Sequence, residues 1–146
     1  MYRCAVLLLL GLVLGLPGST SAQAPARDTR QAVALSEPTL LYVLNEMRNL
    51  MEALQGVMEA TASSDWPKAA AAADKAGMKA AAATPKDVTA ELPPEIRQMS
   101  RQMRLAFDAV AETATTKRDA AAVSGKLGET MQYCNTCHQG YRFVQK

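Results

Sequence analysis

The sequence predicts an all-α fold, an antiparallel four-helix bundle, on three observations. Apolar side chains recur at intervals of three and four along four separate stretches, the spacing that lines one face of a helix. No stretch alternates apolar and polar residues with period two, so no strand is expected. The connections are short and carry residues that stop and cap helices, as antiparallel neighbours in a bundle require. Composition agrees: eight methionines against one Trp, four Tyr and two Phe describe a core of unbranched and small side chains, which suits packed helices.

The chain has 146 residues, and its first stretch reads apart from the rest. Residues 1–22 combine an early cation, Arg3, an apolar run from Ala5 to Leu16, the pair Pro17-Gly18, and small residues Thr20 and Ala22. That is the pattern of a secretory signal peptide, cut after Ala22. The apolar run is too short to span a bilayer, and no later run is long and apolar enough, so residues 23–146 are expected to form one exported domain without a membrane span. Cys4 leaves with the signal, and Cys134 and Cys137 remain as one pair in an oxidising compartment. A net charge of +2 points to neither nucleic acid nor an anionic membrane as a partner.

Residues 23–35 show no clean period and read as a loose lead-in. Ser36, Glu37 and Pro38 then supply a capping hydroxyl, an acid for the helix dipole and a first-turn proline, opening helix A over 37–61. Its inward stripe is expected to be Leu40, Leu44, Met47, Met51, Leu54 and Met58. Asp65 caps helix B, residues 66–83, with Pro67 in its first turn and an alanine-rich body of high helix propensity. Its small side chains at 69, 70, 73 and 80 allow close approach to another helix or to a second subunit, which leaves a homodimer open. Thr84-Pro85 ends helix B, and the stretch to Pro93-Pro94 is a connection. Helix C carries Ile96, Met99, Met103, Phe107 and Val110; helix D, capped by Asp119, carries Val123, Leu127, Thr130 or Met131, Cys134, His138 and Tyr141.

Chemistry concentrates in Cys134-Asn135-Thr136-Cys137-His138, which holds both cysteines left after signal removal and the chain's one histidine. A structural zinc site needs four nitrogen or sulfur ligands, and this set has three. A thiol-disulfide exchange site places its first cysteine at a helix start, where the dipole lowers the thiol pKa; here the pair sits in the last turns of a helix, where the dipole acts in the opposite sense. Covalent haem attachment fits: two thiols add to the haem vinyl groups and the next residue, histidine, ligates iron. On a helix Cys134 and His138 lie nearly in line and Cys137 flanks them, so the three meet one flat macrocycle. The expected cofactor is one haem c, bound through Cys134 and Cys137, with His138 on the metal.

With a single histidine, two histidine ligands within one chain are excluded. The sixth position falls to methionine, to a weaker ligand such as lysine, or stays open. Met47 and Met51 on helix A, and Met99 and Met103 on helix C, are the methionines on inward stripes; any one of them can equally be core filler.

These features resemble the class II c-type cytochromes, meaning cytochrome c prime and its low-spin, methionine-ligated relatives. The resemblance covers residues 23–146: an exported four-helix bundle with Cys-x-x-Cys-His near its C-terminus, followed by an aromatic and a basic residue, here Tyr141 and Arg142. It implies a sixth ligand on helix A. Counting back from Trp66 by the family's spacing gives Met47, with Met51 one turn along as the packing methionine beside the macrocycle. Where several members carry an arginine four residues before the ligand, this chain has Val43. The function so implied is single-electron transfer to and from redox partner proteins in the periplasm. The alternative is a five-coordinate protein of the cytochrome c prime type that binds nitric oxide or carbon monoxide. No enzyme is expected, since no spare histidine, no acid pair beside a nucleophile and no glycine-rich phosphate loop stands in the sequence.

Overall fold

The computed structural model describes residues 27–146, and the expected signal peptide lies outside them. The described chain is mostly helical, as expected, with one departure: two short strands that the sequence reading did not anticipate. In order, the elements are β1 (Gln31–Leu35), α1 (Glu37–Ala62), α2 (Trp66–Asp74), α3 (Met78–Ala81), α4 (Lys86–Glu91), α5 (Pro94–Thr116), α6 (Ala120–Gly140) and β2 (Tyr141–Gln145).

Helix α1 begins where the cap signal places it, with Ser36 extended (φ −61°, ψ 154°), although the Ser36 hydroxyl makes no capping bond to the helix. Its buried face differs from the expected stripe. Val43, Leu50, Ala53, Leu54, Val57 and Ala60 point inward, while Leu44, Met51 and Met58 are 41%, 65% and 60% exposed. The two stripes lie one residue apart, about 100° around the helix. Packing distance favours the one with smaller side chains: Gly56 approaches α2 so closely that a Cβ there would stand 3.0 Å from the Ala72 Cβ.

Helix α2 is capped by the Asp65 carboxylate, which accepts from the Lys68 N–H at 3.1 Å. Ala69, Ala72 and Ala73 are buried, so these small residues serve helix contacts within one chain, with α1 on one side and α5 on the other. The single helix expected over residues 66–83 is broken. Gly77 is extended, and the Asp108 carboxylate of α5 accepts the Met78 N–H at 3.1 Å, starting α3 afresh. A Cβ at Gly77 would collide with that carboxylate. The connection after it also contains a helix, α4, which sequence reading left as a link.

Helix α5 buries Ile96, Met103, Phe107 and Val110 of the expected stripe, leaves Met99 half-buried, and adds Ala111, Ala114 and an unexpected Arg104. A turn with Arg118 at φ 50° leads to α6, whose N-cap Asp119 accepts the Ala122 N–H at 2.8 Å. Helix α6 buries Val123, Leu127 and Thr130, then ends at Gly140, so Tyr141 belongs to β2 and not to a helical stripe. The pairs α1 with α2, α2 with α5, and α5 with α6 pack closely, whereas α1 and α6 touch only sparsely.

Strands β1 and β2 run parallel, with Gln31 opposite Tyr141, Val33 opposite Phe143 and Leu35 opposite Gln145. The period-two signal was hidden because alanines 32 and 34 alternate with the inward Val33 and Leu35, so every residue from 32 to 35 is apolar. The strand exists through a partner at the far end of the chain. Val33, Leu35 and Val43 form a second small core, against which Met47, Leu92, Tyr141 and Phe143 pack. Glu91 fastens the junction after β1: its carboxylate accepts from the Ser36 hydroxyl at 2.6 Å and from the Ser36 N–H at 2.8 Å, and Lys146 Nζ lies 3.3 Å away.

Two tests follow from this packing. Gly56→Leu forces side-chain bulk against Ala72 and should lower unfolding stability by about 1–3 kcal/mol in urea titration; an unchanged midpoint would show that α1 and α2 are not in close contact. The Ser36 hydroxyl and N–H lower the Glu91 pKa from its ordinary 4.5 to about 2. A depressed folded-state pKa contributes stability that is present above pH 4.5 and lost as pH falls toward 2. Glu91→Gln should therefore flatten the stability-against-pH curve over that window, and a curve of unaltered slope would reject the contribution.

Candidate functional site

Cys134 and Cys137 stand three residues apart in the last turns of α6, both half-buried and both free thiols. Burial raises the pKa of each; for Cys137 the neighbouring Cys134 pushes in the same direction, and for Cys134 a backbone hydrogen bond opposes part of the rise. A thiol held neutral is a poor nucleophile for disulfide exchange, which needs a lowered pKa. His138 is exposed, and its backbone carbonyl accepts from Arg30 Nη1 at 3.3 Å, which ties the motif to the residue before β1. Among the described residues no group of three or more His, Cys, Asp or Glu side chains is gathered so as to hold a metal ion. Also among the described residues, no helix is long and apolar enough to cross a membrane.

A cavity of about 100 Å³ opens beside the motif. Cys137 lines it from α6, Met47 and Leu50 from α1, Met99 and Met103 from α5, and Phe143 from β2. Of the residues singled out from sequence, the cavity therefore brings together Cys137, Met47, Met99 and Met103. It leaves out Cys134, which packs against the main core, and His138, whose residue faces solvent. Met47 packs against both hydrophobic cores, so it sits where the main helical core meets the strand-capped one. Met51, one turn along, is 65% exposed and is not a packing residue in this arrangement.

Two charged residues went unnoticed in the sequence. Arg104 is 5% exposed, and its Nη2 donates to Glu46 Oε2 at 2.6 Å. Both line the cavity. The signal was present but weak, since Arg104 precedes Phe107 by three and Ala111 by seven and so lies on the inward stripe of α5. A charge on an apolar stripe usually means a partner across the interface, and the sequence does not say which one.

No protein-family model matches the chain, and no curated protein and no solved structure matches it.

By residue type the donors are those a covalently held haem would use: two free thiols at the attachment spacing, an imidazole after them and a thioether on another helix, of which Cys137 and Met47 line the cavity while Cys134 and His138 do not. Volume is the constraint, because ~300–1,000 Å³ is the usual range for a small-molecule or cofactor site and this cavity is about 100 Å³. A macrocycle therefore requires two elements to stand further apart.

Raised thiol pKa values and partial burial make a measurable difference to thiol reactivity. Iodoacetamide at neutral pH should label Cys134 and Cys137 several-fold more slowly in the folded chain than after unfolding in urea. Equal rates would mean that the thiols are not shielded.

Proposed function

We propose that this chain is an exported c-type cytochrome of the four-helix-bundle kind, a carrier of single electrons and not an enzyme. One haem c is bonded covalently to Cys134 and Cys137, with His138 and Met47 as the iron ligands. The observation that supports this reading is the shared cavity: Met47 of α1 and Cys137 of α6 line the same apolar space, together with Met99 and Met103 of α5, while Met51 is turned to solvent; Met47 is preferred among the three because the resemblance implies a ligand on the first helix. Helices α1, α2 with its continuation α3, α5 and α6 are the four members of the bundle in this reading.

Iron held by imidazole and thioether exchanges single electrons at a relatively high potential, because a thioether favours the ferrous state. The chain's own residues supply the surroundings. Val43, Leu50, Met103 and Phe143 make most of the cavity wall apolar. Strand β2 follows the motif directly, and its pairing with β1 holds Phe143 against the small core formed by Val33, Leu35 and Val43. Asn135, Thr136 and Gln139 leave the outer edge of the motif exposed and uncharged, a surface on which a redox partner protein can dock. The expected compartment is the periplasm, where an exported chain of this type meets its donor and acceptor.

Production of the full chain with a c-type maturation system tests the reading. Haem should resist acid-acetone extraction, and Cys134→Ala or Cys137→Ala should leave it weakly held or absent. Met47→Ala should turn the low-spin spectrum high-spin and admit carbon monoxide to the ferrous protein. Met51→Ala should keep the low-spin spectrum and, at an exposed position, change stability by less than about 0.5 kcal/mol. Haem that extracts cleanly from the parent removes the attachment claim, and a high-spin parent puts the gas-binding reading in place of electron transfer.

A further inference from the structure

A charged pair stands in the wall of the apolar cavity, directly beside Met47. Arg104 Nη2 lies 2.6 Å from Glu46 Oε2, and the two side chains are 7% and 22% exposed. Arg104 Nη1 donates to the backbone carbonyl of Ala76 at 3.2 Å, which anchors the guanidinium to the turn between α2 and α3. Its Nε finds no partner among the described residues. Glu46 and Arg104 are the only charged side chains that line the cavity among the described residues.

The pair joins α1 to α5, and Glu46 is the residue immediately before Met47. Adjacent residues point about 100° apart around a helix, so a bond that holds Glu46 toward α5 also determines where Met47 points. Charge matters as well as direction. An unpaired charge in an apolar wall acts strongly on a neighbouring redox centre, since the low dielectric leaves it poorly screened, whereas a close pair of opposite sign largely cancels.

We infer that Arg104 is a positioning residue for Met47: by holding Glu46 toward α5 it fixes this turn of α1, and with it the place of Met47 in the cavity wall, and by pairing with that carboxylate it keeps the wall free of net charge. This rests on the electron-carrier reading above.

The test uses the matured full chain with Arg104→Gln, Arg104→Lys, Glu46→Gln and, as a control, Arg101→Gln, an exposed cation nearly one turn away on the same helix. Haem stain on a denaturing gel, ferric and ferrous spectra, and midpoint potential are read for each. Arg104→Gln should lower the potential, because the carboxylate left behind favours ferric iron; Glu46→Gln should raise it, because the guanidinium left behind favours ferrous iron. Both should show a high-spin fraction that the parent lacks. Arg104→Lys should keep the parent's potential, and Arg101→Gln should move neither readout. A merely structural role would shift both single variants in the same direction, and that result overturns the inference, as does a fully low-spin spectrum in both. If Arg104→Gln does not accumulate, Glu46→Gln and Arg104→Lys decide: an unmoved potential in the first, or a Gln-like fall in the second, is equally fatal. A parent without covalent haem overturns the electron-carrier reading and this inference together, whereas a low-spin haem protein that fails these comparisons overturns this inference alone.

Discussion

Close approach of α1, α2 and α5 through small side chains is the constraint on which the rest of this structure depends. Ala53 and Ala60 of α1, Ala69 and Ala73 of α2, and Ala111 and Ala114 of α5 share one core. Residues of this size release little free energy one by one on burial, so the stabilisation comes from density: helices brought near enough to interdigitate with few voids. That proximity decides the rotation of α1. With the Gly56 edge turned to Ala72 of α2, Val43, Leu50 and Val57 face inward and the larger methionines at 51 and 58 are left outside. Met47 is the exception, half-buried toward the opening between α1 and α6.

The same opening needs a cover at its end, and the strand pair provides it. Bringing Gln31–Leu35 beside Tyr141–Gln145 closes nearly the whole described chain into a loop. The entropic cost of closure grows only slowly with length, and much of it is already met once the helices have packed. What the pairing gains is a second core around Val33, Leu35 and Val43 and a fixed place for Phe143. Arg30 to the His138 carbonyl, Lys146 to the Leu35 carbonyl, and Glu91 to Ser36 are polar fastenings along that seam. The segment carrying the cysteines is thus held from both sides, by α5 through helix packing and by β1 through the strand that follows.

Electrostatics in the site divides into two kinds. The thiols are shifted mainly by desolvation, which raises both and favours the neutral form. The Arg104–Glu46 pair is a buried interaction that contributes little net stability compared with an apolar replacement, because desolvating both charges offsets much of their attraction. Its location in the cavity wall is what gives it a role beyond packing.

Much of this protein is determined by sequence alone, for local reasons. Caps at Asp65 and Asp119 start α2 and α6, because the acceptor and the N–H it satisfies lie within one turn of chain. The stripe of α5 is legible because Ile96, Met103, Phe107 and Val110 repeat at helical spacing with no rival face. The spacing of Cys134, Cys137 and His138 is likewise a property of consecutive residues. Tertiary structure decided what depends on distant partners. It chose between two apolar stripes on α1 by the separation from α2, ended helix B at Gly77 through a carboxylate supplied by α5, and made strands of residues 31–35 and 141–145 that have no stability apart. It also turned Arg104 inward onto Glu46, since a buried charge is acceptable only where its counter-charge already stands, and that meeting exists only once α1 and α5 are side by side.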